Sequence, residues 1–252
     1  MNKTILITGA TSGIGRATAK AFIAKGNRII ITGRRQERLD ELKAELEAEG
    51  IEVLALCFDV RDRDEVREHL SNLEAENWSP DILINNAGLA AGADSIENGL
   101  AENWNKMIDT NIKGLLYVSE AIIPQMQGRE DGFIINIGSI AGKEAYKNGN
   151  VYCATKHAVD ALTKSMRIDL LPYHIRVSSV CPGAVDTEFS LVRLNGDAEK
   201  AKNVYAGYQP LSAEDVAETI HFVATRPKHV CINDVLIMPT AQANTSHILR
   251  GE

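Results

Sequence analysis

The stretch Val151-Tyr152-Cys153-Ala154-Thr155-Lys156-His157 sets a tyrosine and a lysine four residues apart. Both side chains titrate near pH 10 in isolation, so they move protons at neutral pH only if their surroundings change those values. On a helix, four-residue spacing puts both on one face. Bringing a tyrosine from about 10 to about 7 takes ~4 kcal/mol at 1.36 kcal/mol per pH unit. A unit charge about 4 Å away supplies ~4 kcal/mol at an effective dielectric of ~20. Lys156 is therefore sufficient in principle to activate Tyr152, if the pair sits close in a partly dry site.

A second constellation lies near the N-terminus, in Thr8-Gly9-Ala10-Thr11-Ser12-Gly13-Ile14-Gly15. It follows one apolar run and opens an amphipathic one. Its glycines fall as G-x-x-x-G-x-G, which departs from the G-x-G-x-x-G fingerprint. The physics is shared: glycines permit the tight turn and let the backbone approach a pyrophosphate at a helix N-terminus. Gly9, Thr11, Ser12, Gly13, Ile14 and Gly15 are thus expected to hold a dinucleotide. The end of the second strand normally carries an acid for the ribose of NAD. Here Ile31-Thr32-Gly33-Arg34-Arg35 puts two guanidinium groups there instead. Arginine grips a 2′-phosphate that an acid would repel, so the cofactor is expected to be NADP(H), held by Arg34 or Arg35 with Arg34 preferred. The alternative is that they are helix-start surface charges. Asp59 and Val60 are placed to meet the adenine, and Asn86, Ala87 and Gly88 the cofactor ribose.

These groups need a scaffold. Seven short apolar runs, at 3–8, 27–32, 51–58, 81–85, 132–138, 175–180 and 233–238, alternate with longer helical patterns. Nearly continuous apolar runs fit strands covered on both faces. Leu39, Leu42 and Leu46 mark one buried helical stripe. The alternation predicts an α/β fold: a single Rossmann-like, doubly wound domain over 1–252, with a seven-stranded parallel sheet and helices on both faces. Ser212 and Asp215 are spaced to cap one helix. The stretch 186–210 reads as a long excursion suited to a substrate loop. The 252 residues suit one large domain, and a formal charge of −7 argues against nucleic acid or an anionic membrane as partner. No segment has the length of a membrane span or the form of a secretory leader. The four cysteines are scattered, as free thiols of a cytoplasmic protein would be, and the histidines show no metal-ligand spacing.

Taken together, TGATSGIG, NNAG at 85–88, Asn111 in DTNIKG, Ser139 in NIGS, YCATK and CPG at 181–183 resemble the classical short-chain dehydrogenase/reductase family. They occur in family order over nearly the whole chain. Within the family, TGRRQERL, GNVYCATK, TEFSLVRLNGD and the late IMPT are most similar to NADP-dependent dehydrogenases of 3-hydroxy acids such as serine and allo-threonine. The resemblance implies that Tyr152 exchanges the proton with the substrate oxygen. It implies that Lys156 supports Tyr152 and binds the nicotinamide ribose, and that Ser139 polarises the carbonyl. Asn111 would hold a water in a relay to Lys156, or serve as a buried structural asparagine. Pro182 and Gly183 would turn the backbone under the nicotinamide, with Val185 and Thr187 at its carboxamide. It also implies a homotetramer, for which amphipathic helices at 101–127 and 151–172 offer faces.

A short hydroxy acid carries a carboxylate that needs a cationic or amide partner. Arg193 in TEFSLVRLNGD is the candidate, with Lys143, Lys147 and Asn150 as competitors. Two other readings stand beside this one. The chain could reduce neutral ketones, diketones or steroids, which an apolar pocket without a cation would favour. It could also be an NADPH-sensing regulatory protein that keeps the fold without the chemistry. AQANTSHILRGE at the C-terminus shows no assignable pattern and departs from the family's glycine-rich ending.

Overall fold

Each of the seven apolar runs forms a strand in the computed structural model, which describes residues 2–194 and 196–251. The strands are β1 (Thr4–Ile7), β2 (Arg28–Gly33), β3 (Glu52–Cys57), β4 (Ile82–Asn85), β5 (Gly132–Ile137), β6 (Ile175–Pro182) and β7 (Asp234–Ile237). All pair in parallel, in the order β3-β2-β1-β4-β5-β6-β7. Ile5 of β1 lies between Ile29 of β2 and Ile82 of β4. Isoleucine and leucine crowd these strands because both faces of the sheet are covered, and Ile5, Leu6 and Ile7 have no exposed surface.

Side chains alternate between two cores, as strand geometry requires. Ile5 and Ile7 join the helices α1 (Gly13–Ala21), α2 (Gln36–Ala48) and α9 (Ala213–Ala224) on one face. Leu6 and Leu83 join α3 (Arg63–Leu70), α5 (Leu115–Gln127) and α6 (Asn150–Asp169) on the other. The expected stripe Leu39, Leu42 and Leu46 is fully buried in the first core. The cap on α9 also forms: the Asp215 amide donates to Ser212 Oγ at 3.1 Å, and the Ser212 amide to Asp215 Oδ2 at 2.8 Å.

The winding reverses between β1 and β4, which opens a crevice at their carboxyl ends. Two local departures border it. Between α4 (Ala101–Ile108) and α5, the segment Asp109–Gly114 is a π-helix, an uncommon form frequent at functional sites. The excursion at 186–210 is not one open loop. It contains α7 (Glu188–Arg193) and α8 (Ala198–Asn203), each capped at its start, by Thr187 and Asp197. No described helix is long and apolar enough to cross a membrane.

Candidate active site

A cleft of about 620 Å³ runs from the glycine loop to the 186–210 segment. Gly9, Thr11, Ser12, Gly13 and Ile14 line one end, with Arg34, Arg35, Asp59 and Val60 beside them. Asn86, Ala87 and Gly88 line the middle. Ser139, Tyr152, Lys156, Pro182, Gly183, Val185, Thr187 and Arg193 line the rest. The chain thus gathers residues from across its length at the strand ends.

Gly15 lies underneath instead. A Cβ there would meet Asn86 Nδ2 at 2.5 Å and collide with the Gly9 carbonyl oxygen. Its role is to let α1 pack against the β1 and β4 ends, as the last glycine of a dinucleotide turn does. Gly9 has φ +67°, a left-handed conformation that glycine adopts without strain. Asn86 ties the two strand ends together, its amide donating to the Thr8 and Gly9 carbonyls at 2.8 and 3.2 Å. The resulting cradle fits a dinucleotide.

At the adenosine end the two arginines differ. Arg35 donates from Nη2 to Thr11 Oγ1 and Ser12 Oγ, both at 2.9 Å, and pairs with Glu188 at 3.1 Å. Arg34 has one long contact, 3.6 Å to Asp59, and is the more exposed. Asp59 belongs to Arg61, whose Nη2 lies 2.6 Å from its Oδ2. Burial would raise the Asp59 carboxyl, but the Arg61 hydrogen bonds and the Arg34 charge outweigh it and hold it below its ordinary value.

Tyr152 and Lys156 share a face of α6, as their spacing requires, and both are buried. Lys156 Nζ donates to the Ile137 carbonyl at 2.8 Å, so the end of β5 fixes it. The pair titrates differently from the simple charge argument. Burial pushes the Tyr152 phenol up, with Ser139 and Arg193 opposing. Burial also brings the Lys156 amine down to about 8. Desolvation disfavours the charged form of each group and is the leading cause of both shifts. Tyr152 is therefore a protonated donor at neutral pH. Lys156, at about 8, still favours its charged form at neutral pH.

Ser139 caps the short turn after β5, its Oγ accepting from the Ala141 amide at 3.0 Å. That leaves its own proton to donate. Asn111 sits in the π-helix and does not line the cleft. Its Nδ2 donates to the Leu89 carbonyl at 2.8 Å and to Thr155 Oγ1 at 3.0 Å, while its Oδ1 accepts from the Leu89 amide at 2.9 Å. Both amide N–H groups are spent on the protein, so a water would have only the remaining oxygen lone pair. Thr155 in turn donates to the Tyr152 carbonyl at 2.8 Å. The asparagine thus braces α6 against the loop after β4.

Among the expected carboxylate partners, only Arg193 reaches the cleft. Its guanidinium lies 6.0 Å from the Tyr152 ring centre. Asn150 borders a separate small pocket and donates to the Asp94 carbonyl at 2.8 Å, because the start of α6 turns it away. Lys143 is held by Asp160 at 2.6 Å and by Asp234, and Lys147 is exposed. Several cleft residues had no signal in the sequence argument. Tyr146 bonds Arg193, and Phe189 packs 5.6 Å from Tyr152. Gln242 Oε1 accepts from the Ala184 amide at 2.8 Å, so the C-terminal tail helps to wall the site. The tail is tied down by Gly251, whose amide donates to Gly207 at 2.6 Å.

A dinucleotide cradle at the switch point, with a serine, a tyrosine and a lysine at the strand ends, defines an oxidoreductase site. The sequence pattern of the short chain dehydrogenase family matches residues 3–195, and the chain belongs to that family. The NADP-dependent 3-hydroxy acid dehydrogenase YdfG of Escherichia coli (strain K12) is 46% identical over 240 residues, covering 95% of this chain and 96% of the relative. Serine 3-dehydrogenase of Rhizobium radiobacter is 43% identical over 96% of each chain. Among solved structures, the closed form of serine dehydrogenase complexed with NADP+ superposes with a TM-score of 0.90. It is 44% identical, covering 98% of this chain and 99% of that one.

Proposed function

We propose that the chain is an NADP-dependent dehydrogenase of short 3-hydroxy acids, with serine, allo-threonine and 3-hydroxypropionate as its substrate class. The observation that carries the reading is a cation beside the proton donor: Arg193 lies 6.0 Å from the Tyr152 ring in the same cleft. A reductase of neutral ketones has no use for a half-buried guanidinium there. A non-catalytic sensor has no use for a buried tyrosine–lysine pair. The names of the 43–46% identical relatives support the same substrate class and the same cofactor.

The division of labour follows from the geometry. Gly9 to Ile14 and Asn86 to Gly88 hold the dinucleotide, and Arg34, the less committed arginine, meets its 2′-phosphate. When bound, NADP(H) carries the hydride. Ser139 donates a hydrogen bond to the substrate oxygen and orients it. Tyr152 gives that oxygen its proton during reduction; in oxidation the base is its phenolate, the minor form at neutral pH, which takes the hydroxyl proton. The Lys156 charge stabilises the phenolate left behind. Arg193 pairs with the carboxylate and so fixes which carbon faces the cofactor.

A cytoplasmic homotetramer completes the proposal. All four cysteines are free thiols, and Ile168 near the end of α6 and Leu171 just after it leave apolar surface for a second copy. The substrate reading is tested by Arg193→Ala. The variant is expected to lose at least tenfold in kcat/KM for L-serine and 3-hydroxypropionate, and an unchanged value refutes the assignment.

A further inference from the structure

Tyr146 carries none of the chemistry assigned above, yet it touches the cation that meets the substrate carboxylate. Its hydroxyl accepts from Arg193 Nη1 at 2.8 Å, and the guanidinium lies 5.3 Å from the Tyr146 ring centre. The ring packs in a small apolar cluster with Tyr152 and Cys153. Arg193 is also tied to the loop after β4: its Nε donates to the Gly92 carbonyl at 3.4 Å, and the Gly92 amide donates to the Arg193 carbonyl at 2.9 Å. Arginine reaches the cleft from the end of the six-residue helix α7, so its own element does little to fix it. Tyr146 and Gly92 do.

We propose that Tyr146 is the positioning residue for Arg193 and that it sets the preference for substrates bearing a carboxylate two carbons from the reacting oxygen. The proposal rests on the reading of Arg193 as the carboxylate partner. Two features carry it. A guanidinium has five donors, and the bonds to Gly92 and Tyr146 use one on Nε and one on Nη1, which leaves Nη donors for a carboxylate. The site is compact. In a 3-hydroxy acid, two C–C bonds of about 1.5 Å separate the carboxylate carbon from the reacting carbon. That short span keeps the carboxylate close to the reacting centre, on the side where the Arg193 guanidinium lies 6.0 Å from the centre of the Tyr152 ring. A guanidinium free to swing would still neutralise an anion but would not hold its third carbon in register with Tyr152 and Ser139.

The test is Tyr146→Phe, which keeps the ring and its packing and removes the hydroxyl. With NADP+ and 3-hydroxypropionate, KM is expected to rise about tenfold, the loss of one hydrogen bond to a charged group, while kcat stays within about twofold. The uncharged methyl ester of the same acid is expected to react equally with both forms. In the double variant with Arg193→Ala, removing the hydroxyl is expected to cost nothing further, because its partner is gone. If Tyr146→Phe keeps the original KM while Arg193→Ala raises it, the Tyr146 proposal is wrong and the arginine reading stands. If Arg193→Ala changes nothing, the arginine reading itself fails. If Tyr146→Phe lowers kcat for acid and ester alike, Tyr146 acts by packing Tyr152, and the proposal is again overturned.

Discussion

Replacing Lys156 by methionine removes a buried charge while nearly keeping the side chain's length. In the folded protein burial lowers the Lys156 amine from 10.5 to about 8. At 1.36 kcal/mol per pH unit, carrying the proton in the fold costs about 3 kcal/mol below pH 8. The sign follows from proton counts. Between about pH 8 and 10.5 the unfolded chain still holds the proton and the folded chain has released it. Stability therefore rises with pH across that window and is lost again as pH falls through 8. The variant has no such group. Its other costs, chiefly the Ile137 carbonyl left without its 2.8 Å donor, are constant with pH. The difference in unfolding free energy, wild type minus Lys156→Met, is thus expected to grow by about 3 kcal/mol between pH 7 and pH 10.5. Urea unfolding at fixed protein concentration, at pH 7, 8, 9 and 10, measures it. A difference that stays flat would show that Lys156 keeps an ordinary titration in the fold, and the account of a dry tyrosine–lysine site would fail.

Other outcomes follow from the same geometry. Tyr152→Phe should lower kcat by about 10²–10⁴, the usual worth of a positioned acid–base group, with NADPH binding by fluorescence titration nearly unchanged. Gly15→Ala forces a methyl group against the Gly9 carbonyl and Asn86 Nδ2. It should cost about 1–3 kcal/mol of stability, read by urea unfolding, and weaken NADPH binding; a wild-type midpoint would contradict the packing. Arg34→Asp should shift kcat/KM from NADPH towards NADH by about ten- to a hundredfold, as expected for losing a charge-assisted bond. An unmoved ratio would transfer the 2′-phosphate to Arg35.

The strands were legible because burial on both faces leaves an unmistakable mark: β1, β2 and β4 each carry three consecutive isoleucines or leucines. The glycine loop and the Tyr152–Lys156 spacing were legible because they are local. What the sequence hid depends on distant parts meeting. Tyr146 bonds Arg193 from 47 residues away, and Gln242 bonds Ala184 from 58. No local pattern announces either. Helices α7 and α8 have six residues each, too short to show a buried stripe. Asn150 looked suitable by position, but the first turn of α6 aims it at Asp94. The titration of Tyr152 and Lys156 was not legible for a related reason. Spacing reveals their proximity, whereas desolvation depends on everything packed around them.

On this reading the cleft couples NADP to the oxidation of a short 3-hydroxy acid. Initial rates with NADP+ and NAD+ on L-serine, allo-threonine and 3-hydroxypropionate, beside neutral alcohols and diketones, test it most directly. Saturable oxidation of the acids with NADP+ strongly preferred over NAD+ is the expected result. Turnover of neutral carbonyl compounds with none of the acids, or equal use of both cofactors, would contradict it.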